Sequence, residues 1–124
     1  MISVLNRKHH PTYWAEQSAA YYIGRPSPLG NPFKIGPDGD RDAVIERYRL
    51  WLTEVLYFKD WWAQNPSAES DFLPEYVERM TAAYTEFDRL CAKYKREGTL
   101  KLMCWCSPLP CHGDVIANFI ESRL

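Results

Sequence analysis

What this chain lacks narrows its class before any motif is considered. It has no excess of charge of either sign: fifteen Lys and Arg against sixteen Asp and Glu give a formal net charge of −1. A protein that coats duplex nucleic acid usually carries a basic excess, so a general nucleic-acid coat is disfavoured, although a local basic pocket is not. It has no apolar run approaching a membrane span and no charged-then-apolar leader pattern, so no membrane role is expected and a cytoplasmic location is. It has no internal repeat and no low-complexity stretch. Its 124 residues are too few for two comfortable cores, and residues 1–124 are expected to form a single domain.

Aromatic residues, in contrast, are abundant: five Trp, eight Tyr and five Phe make up 15% of the chain. A core this small cannot hide all those rings, and exposed rings suit stacking or interfaces. Three of the four cysteines fall within eight positions, Cys104, Cys106 and Cys111. In a cytosolic chain such clustering points to metal ligands, reactive thiols or small buried residues before disulfides.

The pattern along the chain is strand, strand, helix, helix, strand, helix. Ile2–Asn6 and Ala20–Gly24 are apolar and rich in β-formers. Asp40 can cap a helix whose apolar positions are Val44, Ile45, Tyr48, Leu52, Val55 and Leu56. Asp60–Leu73 is a mixed connection, with Trp61 and Trp62 as a lid or packing element. Pro74 opens a second helix running to about Lys95, with Cys91 on its buried stripe. Gly98 stops it, Leu100–Cys106 alternates as a strand, and Gly113 and Asp114 open a final helix bearing Val115, Ile116, Phe119 and Ile120. This order predicts a small α/β domain with a mainly parallel sheet flanked by helices, in which residues 60–98 form a helical insertion or extension.

Two segments carry the candidate chemistry. The first is Cys104-Trp105-Cys106-x4-Cys111-His112, a strand leading into a helix start, where open α/β sheets gather ligands and where a helix dipole lowers a thiol pKa. Three readings compete. Cys104, Cys106, Cys111 and His112 could ligate zinc, although C-x-C-x4-C-H departs from the usual C-x2-C pairing. Cys106 or Cys111 could be a nucleophile with His112 or Asp114 as acid–base group. Or the thiols pack behind a pocket while His112 and the helix N-terminus hold an anion. The second segment is the stiff loop Gly24-Arg25-Pro26-Ser27-Pro28-Leu29-Gly30-Asn31-Pro32-Phe33. Gly24 and Gly30 shape it, Arg25 suits a phosphate or carboxylate, Ser27 and Asn31 offer hydrogen-bonding groups, and Arg41 can close a pocket beside it. As a purely structural turn, the same loop would pair Arg25 with an acidic neighbour and use Asn31 as a local cap. His9 and His10 are expected on an exposed loop.

The Tyr22–Phe33 motif, Arg41–Tyr48 with Trp51, and Leu102–Ile116 together resemble domain of unknown function family 4326, whose members come from bacteria and phages. The resemblance implies that the two motifs define the domain and implies no activity. The combined expectation is a protein that binds or processes a nucleotide, nucleoside or other phosphate-bearing small molecule. The alternatives are a non-catalytic zinc-binding module that engages a host protein or nucleic acid, and an interaction protein whose exposed aromatics bind a host target.

Overall fold

The computed structural model describes residues 1–6, 20–65, 72–105 and 109–123. The cysteine at position 106 and the histidines at 9 and 10 lie outside these residues. Three strands, β1 (Ile2–Asn6), β2 (Ala20–Tyr22) and β3 (Leu100–Cys104), and three helices, α1 (Arg41–Gln64), α2 (Pro74–Glu97) and α3 (His112–Ser122), follow in the order β1-β2-α1-α2-β3-α3. The sheet order is β1-β3-β2, and both pairings are parallel. The fold is therefore the expected small α/β arrangement.

The last strand in sequence is thus the central one. Central parallel strands are covered on both faces and tend to be apolar throughout. In β3 Leu100, Leu102, Met103 and Cys104 are all buried, and only Lys101 is half-buried. Leu100, Leu102 and Cys104 share one face and join the main core with Leu52, Val55 and Phe58 of α1, Met80, Phe87 and Leu90 of α2, and Ile116 and Ile120 of α3. Register pairs Asn6 with Cys104 and Tyr22 with Met103, so all three strands finish at the same edge. The Ile23 amide continues the ladder by donating to the Met103 carbonyl at 2.9 Å.

Each helix start follows from local chemistry. The Asp40 carboxylate accepts the Ala43 amide at 2.8 Å, which satisfies one of the first-turn donors a helix leaves open. Pro74 sits in the first turn of α2, where its missing amide is harmless. Gly98 ends that helix with φ +74 and donates its amide to the Tyr94 carbonyl, a left-handed cap that glycine adopts without strain.

The extent of α1 departs from the sequence reading. Asp60 to Gln64, read as connection, continue the helix. Tertiary packing explains this. Trp62 stacks on Phe58 (centroids 5.2 Å), Phe72 meets both Phe58 and Trp61 edge-on, and Tyr76 packs edge-on against Phe58 at 5.6 Å. The Trp61–Trp62 pair is a packing element between α1 and the start of α2. Cys91 is half-buried against the core rather than within it, and burial pushes its thiol pKa up.

Removing the hub of this aromatic cluster gives a direct test. Phe58→Ala should lower the unfolding free energy by about 3–5 kcal/mol. Leu50→Ala, on the exposed side of α1, should change it by less than about 0.5 kcal/mol. Urea denaturation of the two variants measures both; equal losses would show that the cluster does not hold the end of α1.

Candidate functional site

Because the strands are parallel and end together, the segments that leave β2 and β3 emerge at one edge of the sheet, where ligands of open α/β proteins bind. Tyr22, Gly24, Arg25, Asn31, Phe33, Lys34, Ile35, Arg41, Val44, Ile45, Trp105, Pro110, Cys111 and His112 line a cleft of about 520 Å³ at this edge. The two sequence motifs therefore face each other across a common cavity.

Two contacts join them. His112 Nε2 lies 2.6 Å from the Ile23 carbonyl oxygen, both buried. A carbonyl only accepts, so the imidazole carries its proton on Nε2. The Tyr22 hydroxyl donates to the Arg25 carbonyl at 2.8 Å and accepts from Trp105 Nε1 at 2.9 Å. Asn6 Nδ2 in turn donates to the Trp105 carbonyl at 3.1 Å. The ends of all three strands are thereby tied to one another.

The Gly24–Phe33 loop is shaped by its small residues. A Cβ on Gly30 would lie 2.9 Å from the Arg25 backbone nitrogen, so only glycine lets the loop close on itself here. Ser27 donates its amide to the Gly24 carbonyl, and Gly30 donates to the Ser27 carbonyl. The Ser27 hydroxyl is shut from solvent and has no partner among the described residues. Asn31 caps locally: its Oδ1 accepts the Phe33 amide at 2.9 Å and its Nδ2 donates to the Val44 carbonyl. Ser27 and Gly30 lie behind the cleft, whereas Gly24, Arg25, Asn31 and Arg41 face it.

At the start of α3, Cys111 is the N-cap. Its Sγ accepts the Gly113 amide at 3.3 Å, and the Asp114 carboxylate reaches back to accept the Cys111 amide at 3.1 Å. This is a capping box with sulfur in the place of a hydroxyl. The Gly113 and Asp114 amides both donate to Cys111. Asp114 acts in that cap and is absent from the cleft lining.

The thiol environment runs against the simple dipole expectation. Cys111 Sγ lies 3.4 Å from Cys104 Sγ, both buried. The hydrogen bond with Cys104 and burial push the Cys111 pKa well above the ordinary thiol range, and the Gly113 amide only partly offsets them. His112 is shifted the other way: burial lowers its pKa, with the nearby Arg25 adding to the effect. Its ring packs edge-on against Tyr48, at 5.0 Å between centroids.

Among the described residues, no group of three or more His, Cys, Asp or Glu side chains is placed to hold a metal. Of the four zinc-ligand candidates, Cys104 and Cys111 contact each other while His112 turns Nε2 to the backbone. The fourth, at position 106, lies outside the described residues.

The ionic side chains that line the cleft are of one sign. Arg25, Lys34 and Arg41 line it, and no carboxylate does. Arg41 is oriented by donating Nη1 to the Pro110 carbonyl at 3.2 Å. No ion pair engages any of the three among the described residues. Sequence reading singled out Arg25 and Arg41 but passed over Lys34 and the aromatic lining of Tyr22, Phe33 and Trp105. A signal existed for Trp105, which directly follows the strand that becomes central.

The arrangement is that of a small parallel-sheet α/β protein with a cationic cleft at its strand ends. The chain belongs to the family described as "Domain of unknown function (DUF4326)", which matches residues 5–122. A 52-residue stretch is 40% identical to DNA-directed RNA polymerase subunit Rpo11 of Nanoarchaeum equitans (strain Kin4-M). It covers 40% of this chain and 54% of that protein, so the chain spans about half the length of that relative. No solved structure matches the chain significantly. No helix among the described residues is long and apolar enough to cross a membrane.

Two predictions follow from the chemistry of α3. A histidine held neutral in the native state, with its pKa below the ordinary value of 6.5, contributes stability that is complete above that value. As pH falls through 6.5 the unfolded chain takes up the proton first, so stability declines. The melting temperature should therefore drop between pH 7.5 and 5.5, and His112→Gln should shrink that drop; an unchanged pH dependence would exclude His112 as its source. The buried thiol should also resist modification. Iodoacetamide at pH 8 should label Cys111 only after denaturation, as read by peptide mass spectrometry, and rapid labelling of the folded protein would contradict the assigned environment.

Proposed function

We propose that the cleft binds a phosphate-bearing small molecule, with nucleotides and nucleoside phosphates as the class it fits. The observation carrying this reading is the charge of the lining: Arg25, Lys34 and Arg41 without a carboxylate, in a chain whose overall charge is −1. Guanidinium groups suit phosphate oxygens through paired donors, and an ammonium adds a point charge that adapts to the ligand. The cleft volume, about 520 Å³, lies inside the span of roughly 300–1,000 Å³ usual for small-molecule sites. Its position outside the carboxyl ends of parallel strands is the customary one for such ligands.

The reading is one of binding rather than chemistry at the Cys111 thiol. A Cys111 thiol pushed up in pKa by Cys104 and burial is a poor nucleophile at neutral pH. His112 holds its Nε2 proton against the Ile23 carbonyl, and Asp114 caps its own helix. In this reading Cys111 and His112 build the wall of the site, Asp114 supports the helix behind it, and the anion is held by side-chain cations rather than by the helix mouth.

Adenosine 5′-monophosphate at 1 mM should raise the melting temperature. With a Kd of about 10 µM the stabilisation would be about 2.7 kcal/mol. Arg25→Ala and Lys34→Ala, both at exposed side chains, should each reduce that rise without altering the melting temperature of the unliganded protein. Raising ionic strength should reduce it further. Absence of stabilisation by any nucleotide or by inorganic pyrophosphate would remove the proposal.

A further inference from the structure

The imidazole that joins the two motifs has a second nitrogen. His112 is only 7% exposed, and its Nε2 is engaged by the Ile23 carbonyl. Which ring nitrogen carries the proton is set by the bond the other, or it, makes. With the proton on Nε2, Nδ1 holds a bare lone pair and acts solely as an acceptor. That nitrogen has no hydrogen-bond partner among the described residues.

Nδ1 opens onto the cleft. Among the described residues, the enclosed side-chain polar atom that lacks a partner is the Ser27 hydroxyl, not this nitrogen. Nδ1 therefore reaches open space, and the open space beside His112 is the cleft. The Arg25 guanidinium is near enough to oppose charging of the ring, so the acceptor stands close to one of the cations. Burial acts more strongly in the same direction and keeps the imidazole neutral at pH 8. A fully ionised phosphate brings only acceptor oxygens, which suit Arg25, Lys34 and Arg41 and gain nothing from Nδ1. A largely buried acceptor left unpaired when a ligand displaces its water costs affinity. A ligand that fills the cleft well thus needs two chemistries: an anion for the cations and a donor for Nδ1.

We infer that His112 Nδ1 is a specificity-determining acceptor, by which the cleft prefers a phosphate ester whose organic part carries a hydroxyl or N–H donor over an ester without one. The inference rests on the reading that the cleft holds a phosphate-bearing molecule and adds how the rest of that molecule is recognised. A sugar hydroxyl and a base N–H are the two sources of such a donor in a nucleotide. His112 thus has two roles through two atoms: Nε2 holds the loop after β2, and Nδ1 selects the ligand.

Isothermal titration of the full chain at pH 8 with methyl phosphate, ribose 5-phosphate and AMP tests this. At that pH the phosphate monoesters are fully ionised, and methyl phosphate has no donor. Ribose 5-phosphate, AMP or both should bind about tenfold more tightly than methyl phosphate. A gain already present in ribose 5-phosphate assigns the donor to the sugar, and a gain confined to AMP assigns it to the base. His112→Gln, whose amide nitrogen can reach the Ile23 carbonyl while no acceptor stands in the place of Nδ1, should cut the gain to within about threefold. A histidine with a merely structural role would weaken all three ligands alike and leave their ratio intact. In the unmutated chain, the Nδ1 resonance in ¹⁵N NMR should move more on saturation with the preferred ester than with methyl phosphate, a readout that needs no variant to fold. Equal binding of the three esters, a ratio retained in His112→Gln, or an Nδ1 resonance that responds to all three alike would overturn the inference and leave the phosphate site in place. No binding by any of the three at millimolar concentration would overturn the phosphate reading, and this inference with it.

Discussion

The hydrogen bond from His112 Nε2 to the Ile23 carbonyl is the contact on which the rest of the site depends. It closes the gap between the loop that follows β2 and the helix that follows β3. The imidazole is fixed further by Tyr48, whose ring meets it edge-on and whose buried hydroxyl donates to the Leu29 carbonyl at 2.8 Å. Through one histidine and one tyrosine, α1, α3 and the start and middle of the Gly24–Phe33 loop are held in a single buried polar unit. Buried polar groups of this kind stabilise only when each is satisfied. Here they are, and the cost of charging the histidine is what keeps it neutral.

This explains why residues that look like chemistry can serve as architecture. Cys111, His112 and Asp114 are a thiol, an imidazole and a carboxylate at a helix start, a set that invites a catalytic reading. Each has an internal partner: Cys104 and Gly113 for the thiol, Ile23 for the imidazole, and the Cys111 amide for the carboxylate. Sulfur is a weak acceptor, yet as the N-cap it is small and apolar enough to be buried beside Cys104, where a serine hydroxyl would demand stronger partners. The cationic side chains of the cleft are Arg25, Lys34 and Arg41.

Element order was legible in the sequence because periodicity and punctuation agreed: Asp40, Pro74 and Gly98 marked helix boundaries that the structure retains. The end of α1 was not, since Asp60–Gln64 have mixed polarity and their helical state depends on Phe72 and Tyr76, residues distant in sequence. The two motifs were legible as a pair because both follow strands of one parallel sheet. The roles within them were less so. Asn31 reads as a ligand group or as a cap equally well in sequence, and only its bonds to Phe33 and Val44 separate the two. Lys34 and Ile35 fall just past the glycine- and proline-rich run, where nothing local marks them as lining a cleft.

Placing the most C-terminal strand at the centre of the sheet has a structural consequence. Its end is the one point flanked by both other strands, so Trp105 can be braced from either side, by Asn6 of β1 and Tyr22 of β2. The Tyr22 hydroxyl accepts the indole N–H and so orients the half-exposed ring, while Asn6 holds the backbone beneath it. The same geometry sets the cations to one side, on the loop after β2 and the first turn of α1. Charge and ring are thus supplied by separate segments, held together by the Tyr22 hydroxyl, the His112–Ile23 bond and the bond from Arg41 to the Pro110 carbonyl.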